Sequence, residues 1–382
     1  MSEILIIEDR IPYPFLGAGY PRASNILHVI SNILGKTVTF YALKPDEYPE
    51  YYERFVNKYP NVRFLRADDK SKERLGDFLR RESSAFKKII VSRAHNMRRV
   101  GELIENGLNI NIPIIFDTEA IGSLRTIAKM ELEHPVALKE RIRIIREEMK
   151  YAKHANSVWV VSEHERQILV NSQIVDVRID IIGHPSLEIS EKGYAFNNRK
   201  GLLFVGAMHG DDTPNSNSIL WFINNVLPYL SDDISELGHL DLIGICSSKR
   251  VRELESTFVR IHGRVEDISQ FYSSSRVFVA PTRYAAGLPW KVTEAISMGM
   301  PVITTSIIAR QVGLTDGINA MVADTPDEFA YKLRLLYTEE SIWSSIRENG
   351  VQLINRDYSQ ENFVERITQG LSVDFGGEIT LR

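Results

Sequence analysis

The sequence predicts an α/β protein made of two doubly wound parallel-sheet domains in tandem. Three observations lead there. Short β-branched runs alternate with helix-period segments along the whole chain, and the alternation restarts after a turn-rich stretch near the middle. The length, 382 residues, is long for one domain and comfortable for two that each bury a core.

In the first half, Ile4–Ile7, Val38–Tyr41, Val62–Leu65, Ile89–Val91, Ile114–Phe116 and Val158–Val161 read as strands. Each is a short apolar run bounded by polar residues, and the amphipathic stretches between them supply the crossovers that parallel strands need. The segment "IIGHPSLEISEKGYAFNNRK" is polar and turn-rich, which suits an inter-domain linker, with a hinge at Gly183–Ser190. Strands then resume at Leu202–Val205, Leu242–Ile245, Phe258–His262, Val277–Ala280 and Val302–Thr304. The clearest helix is "PNSNSILWFINNVLPYL", where Ile219, Phe222, Ile223, Val226, Leu227 and Leu230 recur at helical spacing behind a Pro-Asn-Ser start. The expected domains are residues 1–185 and 186–358, followed by a helix and tail over 359–382.

Composition narrows the function. With 43% hydrophobic and 25% charged residues, the chain is an ordinary folded protein. A net charge of −4, from 46 basic and 50 acidic residues, argues against a nucleic-acid binder working through one large basic face. The single cysteine, Cys246 in "LDLIGIC", cannot form an intramolecular disulfide; it reads as a buried core thiol and fits a reducing cytoplasm. The N-terminal "MSEILIIEDR" lacks the pattern of an export signal, and no window approaches the ~20 apolar residues that span a bilayer. The segment "KERIRIIREEMKYAKHA" alternates acids with bases, so a solvated face is favoured, and peripheral contact with the inner face of a membrane stays open.

Ligands of open α/β sheets gather at the carboxyl ends of the strands, so the loops after the strands are where chemistry is expected. After the first strand, Gly17 and Gly19 precede a helix whose amides suit a phosphate; the loop lacks the G-x-G-x-x-G order of a dinucleotide site, and a tight turn without ligand is the competing reading. "VSRAHN" offers Arg93, His95 and Asn96, and "FDTEAIGSLR" offers Asp117, Thr118, Glu119 and Arg125. Helix caps are the alternative for Asp117 and Thr118. In the second half, "FVGAMHGDD" supplies Gly206 and His209, and "IHGRVEDISQ" supplies Gly263 and Arg264, with Glu266 and Asp267 read as first-turn helix acids. Finally, "AAGLPWKVTEA" places Gly287 and Leu288 in a loop, with Lys291 and Glu294 three apart on one face of the next helix. A surface ion pair is the bland alternative. Otherwise, the cation suits a diphosphate and the carboxylate suits paired ribose hydroxyls.

These residues carry a resemblance. "FVGAMHGDDTPNSNSILWFINNVLP", "IHGRVEDISQFYSSSRVFVAPTRYAAGLPWKVTEAISMGMPVITT" and "DTPDEFAYKLRLLY" resemble the retaining nucleotide-sugar glycosyltransferases of the group 1 (family 4) type, which have the GT-B fold of two Rossmann-like domains facing a central cleft. In the first half the resemblance is looser, resting on the Gly17–Gly19 loop, "DTEAIGSLR" and "ANSVWVVSEHERQIL". It implies an acceptor side in the first domain, a donor side in the second, and C-terminal helices that cross back. Glu294 matches the second glutamate of the family's E-x7-E motif, the ribose contact; the first falls at Ala286, as in relatives with a "GAG…K" loop, and Lys291 matches that loop's lysine. Arg264 matches the loop beside the nucleobase, and Glu119 stands where the family commonly has a histidine near the transferred sugar.

The resemblance therefore implies sugar transfer from a nucleotide diphosphate sugar to an acceptor hydroxyl with retention, in glycan or polysaccharide biosynthesis, with no cofactor and no metal. Glu119, His95 and Lys291 are the expected catalytic residues; Gly17, Gly19, Gly206, His209, Arg264, Gly287, Leu288, Lys291 and Glu294 are the expected donor contacts. The expected partners are the nucleotide sugar and a glycan or lipid-linked acceptor. A sugar-nucleotide epimerase and a catalytically silent nucleotide-sugar-binding subunit are the rival readings.

Overall fold

The computed structural model describes residues 3–17, 19–66, 74–186 and 195–372. They form two compact units. The first comprises Met1–Ser123, Ala137–Pro185 and Glu361–Arg382, and the second comprises Leu124–Val136 and Ser186–Gln360. The expected hinge falls in part on residues 187–194, outside the described residues.

The first unit holds β1 (Ile4–Glu8), β2 (Val38–Ala42), β3 (Val62–Leu65), β4 (Lys88–Ser92), β5 (Ile114–Asp117), β6 (Ser157–Val160) and β7 (Arg178–Ile181). They pair in parallel in the order β3-β2-β1-β4-β5-β6-β7. The central strands β1, β2 and β5 are buried on both faces, which is why they read as unbroken apolar runs. The edge strand β7, "RIDI", keeps only partial cover and alternates charged with apolar residues. That alternation leaves no apolar run, so the sequence predicts no strand there.

The second unit holds β8 (Leu202–Val205), β9 (Leu240–Ile243), β10 (Val259–Gly263), β11 (Val277–Ala280), β12 (Val302–Thr304) and β13 (Met321–Val322), in the parallel order β10-β9-β8-β11-β12-β13. Strand β9 lies two residues earlier than expected. Its pairing runs from Leu202↔Leu240 to Val205↔Ile243, and Gly244 then takes φ 132°, a left-handed-side conformation that ends the strand inside the apolar run "LDLIGIC". The two-residue β13 is too short to register as a run. Cys246, expected in the core, is half-buried at its margin, and burial pushes its thiol pKa up, away from nucleophilic use.

In both sheets the strand order reverses beside the first strand of the unit, at β1/β4 and at β8/β11. Each first crossover begins as an α-helix and then loosens into a π-helical turn: Tyr20–His28 into Val29–Ile33, and Pro214–Trp221 into Phe222–Val226. The expected single helix through Leu230 is therefore three segments, closing with a 3₁₀ stretch, Leu227–Asp233. Pro228 lacks the N–H that a regular α-helix would need at that point. The apolar stripe is kept all the same, and Ile219, Phe222, Val226 and Leu230 are buried in the second core.

The charged segment from Lys139 forms the helix Leu138–Glu148 and a 3₁₀ turn, Lys150–His154; Arg143 pairs with Glu140 and Lys153 with Glu105. The helix Glu340–Asp357 belongs to the second unit, while Phe363 and Ile367 of the helix Gln360–Gly370 pack with Trp159 and Ile182 in the core of the first. A Cβ on Gly370 would lie 2.8 Å from Trp159 Nε1, so only glycine lets the helix end approach that ring.

Candidate functional site

At the carboxyl edge of the first sheet, β1 delivers Glu8 and Asp9, and β4 delivers Arg93 and His95. Glu8 is fully buried and takes Arg93 Nε at 2.8 Å. The same guanidinium reaches Glu119 Oε2 at 3.2 Å through Nη1 and lies over the Tyr20 ring at 4.7 Å. Burial raises the Glu8 carboxyl despite Arg93. Burial alone would lower Arg93, but Glu8 and Glu119 outweigh it and hold its pKa above the usual guanidinium value. Arg93 (φ 77°) and Glu119 (φ 60°) both adopt positive φ, a strained conformation that the ion pairs around them maintain.

His95 Nε2 lies 2.7 Å from Asp9 Oδ1, and Lys44 Nζ lies 2.8 Å from Asp9 Oδ2. Burial would raise Asp9, yet those two partners bring its carboxyl well below the ordinary range. The exposed His95 ring lines a groove of about 560 Å3 with Arg98, Ser123 and Glu148. Gly19 caps the helix Tyr20–His28 with φ 78° and no side-chain cap. A Cβ there would collide with Glu119 Oε1, so glycine makes room for that carboxylate. Gly17, at φ 38°, is exposed.

Asp117 and Thr118 do not cap a helix. Asp117 makes a buried two-pronged pair with Arg22, at 2.9 and 2.8 Å, and Arg22 continues to the carbonyls of Ile182 and Gly183. Thr118 Oγ1 donates to Trp159 O. Both residues thus fasten the end of β5 to neighbouring backbone. Asn96 is buried and bonds Ser92 O, and Arg125 is exposed. Glu165 is buried, takes the amides of Ile121 and Val161, and is pushed up to about 7 by desolvation. His184 is pushed down to about 3 by burial, with Arg22 adding to the effect.

In the second unit, the helix Trp290–Ser297 carries both Lys291 and Glu294, each of which is bonded to another residue, Asn215 and Tyr272 respectively. Lys291 Nζ donates to Asn215 Oδ1 at 2.7 Å and sits 4.3 Å from the Phe204 ring centroid. With an amide and a ring face but no carboxylate to compensate desolvation, its pKa falls to about 7. Asn215 is itself fixed, its Nδ2 donating to Ala207 O at 2.8 Å. Glu294 Oε2 accepts from Tyr272 Oη at 2.8 Å, and burial raises its pKa.

Gly206 does not present a free backbone amide. Its N–H donates to Ile243 O at 2.8 Å, within the sheet edge. The residue matters for what it lacks, because a Cβ would lie 2.7 Å from Asn215 Nδ2. Gly287 takes φ 77°, a turn that brings buried Leu288 in ahead of the Lys291 helix. His209 and Arg264 are exposed on their loops. Asp267 Oδ1 accepts from Ser269 N at the start of the helix Ser269–Ser274, as a first-turn acid does.

The structure thus groups Glu8, Asp9, Arg93, His95 and Glu119 in one unit, and Gly206, Asn215, Lys291, Tyr272 and Glu294 in the other. Asn215 and Tyr272 escaped the sequence reading because their roles depend on contacts across 76 and 22 residues. Glu8 and Asp9 left a usable signal, an acid pair at the end of the first strand in "LIIEDR". Among the described residues, no three His, Cys, Asp or Glu side chains cluster as a metal site would need, and no helix is long and apolar enough to cross a membrane.

Residues 199–339 match the family model for glycosyl transferases group 1. No curated protein matches the chain. Similar solved structures include a glycosyltransferase from Rickettsia africae (12% identity, TM-score 0.67, 98% of this chain and 99% of that one). A sucrose-phosphate synthase from Thermosynechococcus elongatus is similar at 14% identity and TM-score 0.64, over 97% and 98% of the two chains. Anabaena HepE in complex with UDP is similar at 13% identity and TM-score 0.64, over 97% and 99%. The chain thus has the GT-B fold of these structures, and its residues 199–339 are similar to the glycosyl transferases of group 1.

Proposed function

We propose that the chain transfers a sugar from a nucleotide diphosphate sugar to an acceptor hydroxyl with retention at the anomeric carbon, in the synthesis of a glycan. The observation that carries this reading is the half-buried Lys291 ammonium, held by Asn215 over Phe204 with no carboxylate beside it among the described residues. Such a group is short of negative charge, and a diphosphate supplies it. Glu294, with one oxygen held by Tyr272, keeps its other oxygen for the ribose hydroxyls. The UDP bound by Anabaena HepE, on a similar fold, supports the choice of ligand.

As the bond from the anomeric carbon to the diphosphate oxygen breaks, negative charge builds on the phosphate, and Lys291 stabilises it there. The acceptor oxygen bonds the same carbon and gives up its proton, which the leaving phosphate takes. The Arg93–Glu119 pair, with His95 beside it, forms the machinery of the first unit in this reading, and the uncapped helix start at Gly19 adjoins it through Glu119. Because a cation of the chain meets the diphosphate, donor binding is expected to persist in a chelator. A cytoplasmic location and a glycan or lipid-linked acceptor belong to the same proposal.

The test is product analysis by NMR with a panel of nucleotide sugars, with and without acceptors. Transfer with the donor's anomeric configuration kept supports the reading, and an inverted product refutes retention. Donor isomerisation without acceptor would make the chain an epimerase, and binding without turnover a silent subunit, a reading to which Ala286 and Glu119 lend weight because they replace the glutamate and histidine usual in the family.

A further inference from the structure

We infer that an aromatic platform on the first unit binds the ring face of the acceptor, which makes the acceptor an already formed, uncharged saccharide. This rests on the glycosyltransferase reading and names its acceptor class. Four rings meet where the loop after β1 faces the turn after β2. Tyr13 and Phe15 stack with centroids 5.4 Å apart and planes 3° apart. Phe15 also lies 4.8 Å from Tyr51 and 5.4 Å from Tyr48.

The base of the platform is fixed. Tyr13 is 1% exposed, meets Phe55 edge-on at 5.1 Å, and donates its hydroxyl to Asp46 Oδ2 at 2.6 Å. The outer rings are open: Phe15 is 41% exposed and Tyr51 42%. Two neighbouring rings left in water are an unfavourable arrangement that a ligand's apolar face would relieve. Pro12 and Pro14 on one segment, and Pro45 and Pro49 on the other, restrict the backbone, so little order remains to be imposed on binding.

Charge selects between occupants. A pyranose offers a face of C–H groups that suits the negative face of an aromatic ring, and hydroxyls at its edge that suit a polar rim. The rim here holds Asp46, Glu47 and Arg10, the last two paired with each other. From Lys44 to Arg54 there are four acids against two bases, and Lys44 is already engaged by Asp9. With Arg10 on the rim and Arg66 over the Tyr52 ring, acids and bases around the platform balance, which offers an anionic lipid surface no net attraction and suits an uncharged saccharide. The platform is also continuous with the candidate site, since Phe15 is two residues from Gly17 and Asp9 links Lys44 to His95.

The experiment is a saturation-transfer NMR titration of the full chain, without donor, against neutral gluco-, galacto- and manno-configured oligosaccharides, alongside sedimentation with phosphatidylglycerol vesicles. Phe15→Ala and Tyr51→Ala should each weaken saccharide binding about 10-fold. Phe15→Tyr should retain it, and thermal-shift binding of the nucleotide sugar should be unchanged in all three. Saccharide binding equal in wild type and both alanine variants, absence of binding to any of the oligosaccharides, or vesicle binding lost in the alanine variants would each overturn the proposal. A wild type that binds saccharide but no nucleotide sugar would instead overturn the donor reading and leave the platform standing.

Discussion

Donor binding should draw a proton onto Lys291. In the free chain, burial holds its pKa at about 7, so at pH 8 only about one-tenth of the molecules carry the ammonium. A diphosphate placed against Nζ favours the charged form and returns the pKa toward its ordinary value near 10.5. Uptake should therefore be about 0.9 proton per donor bound at pH 8, about 0.5 at pH 7 and about 0.1 at pH 6. A nucleotide diphosphate sugar has no phosphate group titrating in that range, so the ligand does not mask the signal. Isothermal titration calorimetry in buffers of different ionisation enthalpy reads the uptake directly. Zero uptake at pH 8, or the same uptake in Lys291→Met, would refute the reasoning.

The same burial makes stability depend on pH. The folded pKa of Lys291 lies below the unfolded one, so the stability involved is present above pH ~10.5 and is lost as pH falls through about 7, by on the order of a few kcal/mol. Lys291→Met should accordingly unfold at higher urea than wild type at pH 6, and the gap should close as pH approaches 10. Glu165 titrates in the opposite sense: its folded pKa of about 7 lies above the ordinary 4.5, so its contribution is present below pH 4.5 and lost as pH rises through 7, and Glu165→Gln should flatten that part of the urea-midpoint profile. Gly206→Ala should leave the melting temperature within a few degrees but weaken donor binding about as much as Asn215→Ala, because its Cβ would displace the Asn215 amide that positions Lys291. Phe363→Ala should cost the first unit about 3–5 kcal/mol in chemical denaturation, and truncation after Ile354 should cost more, since it also removes Ile367 from that core.

Much of this architecture was legible because parallel strands buried on both faces leave unbroken apolar runs, as in "ILII" and "VFVA". Strands at the margin were not: β7 alternates like a surface segment, β13 spans two residues, and the end of β9 was set by the conformation of Gly244 rather than by where apolar residues stop. The helix bearing Lys291 and Glu294 was legible from its loop and spacing. What that pair does was not, because the surface ion pair and the ligand site share one sequence pattern, and only Asn215 and Tyr272, brought in by the fold, separate them. Asp117 teaches the same lesson. Its position suggested a cap, whereas distant Arg22 makes it a buried tie between strand ends.

The central claim is that the second unit holds the activated sugar through Lys291 and Glu294, and donor affinity in the two alanine variants tests it most directly. Calorimetry with the nucleotide sugar that binds wild type most tightly should show affinity reduced about 10-fold or more in Lys291→Ala and in Glu294→Ala, with both proteins still folded. Wild-type affinity in both variants would contradict the account.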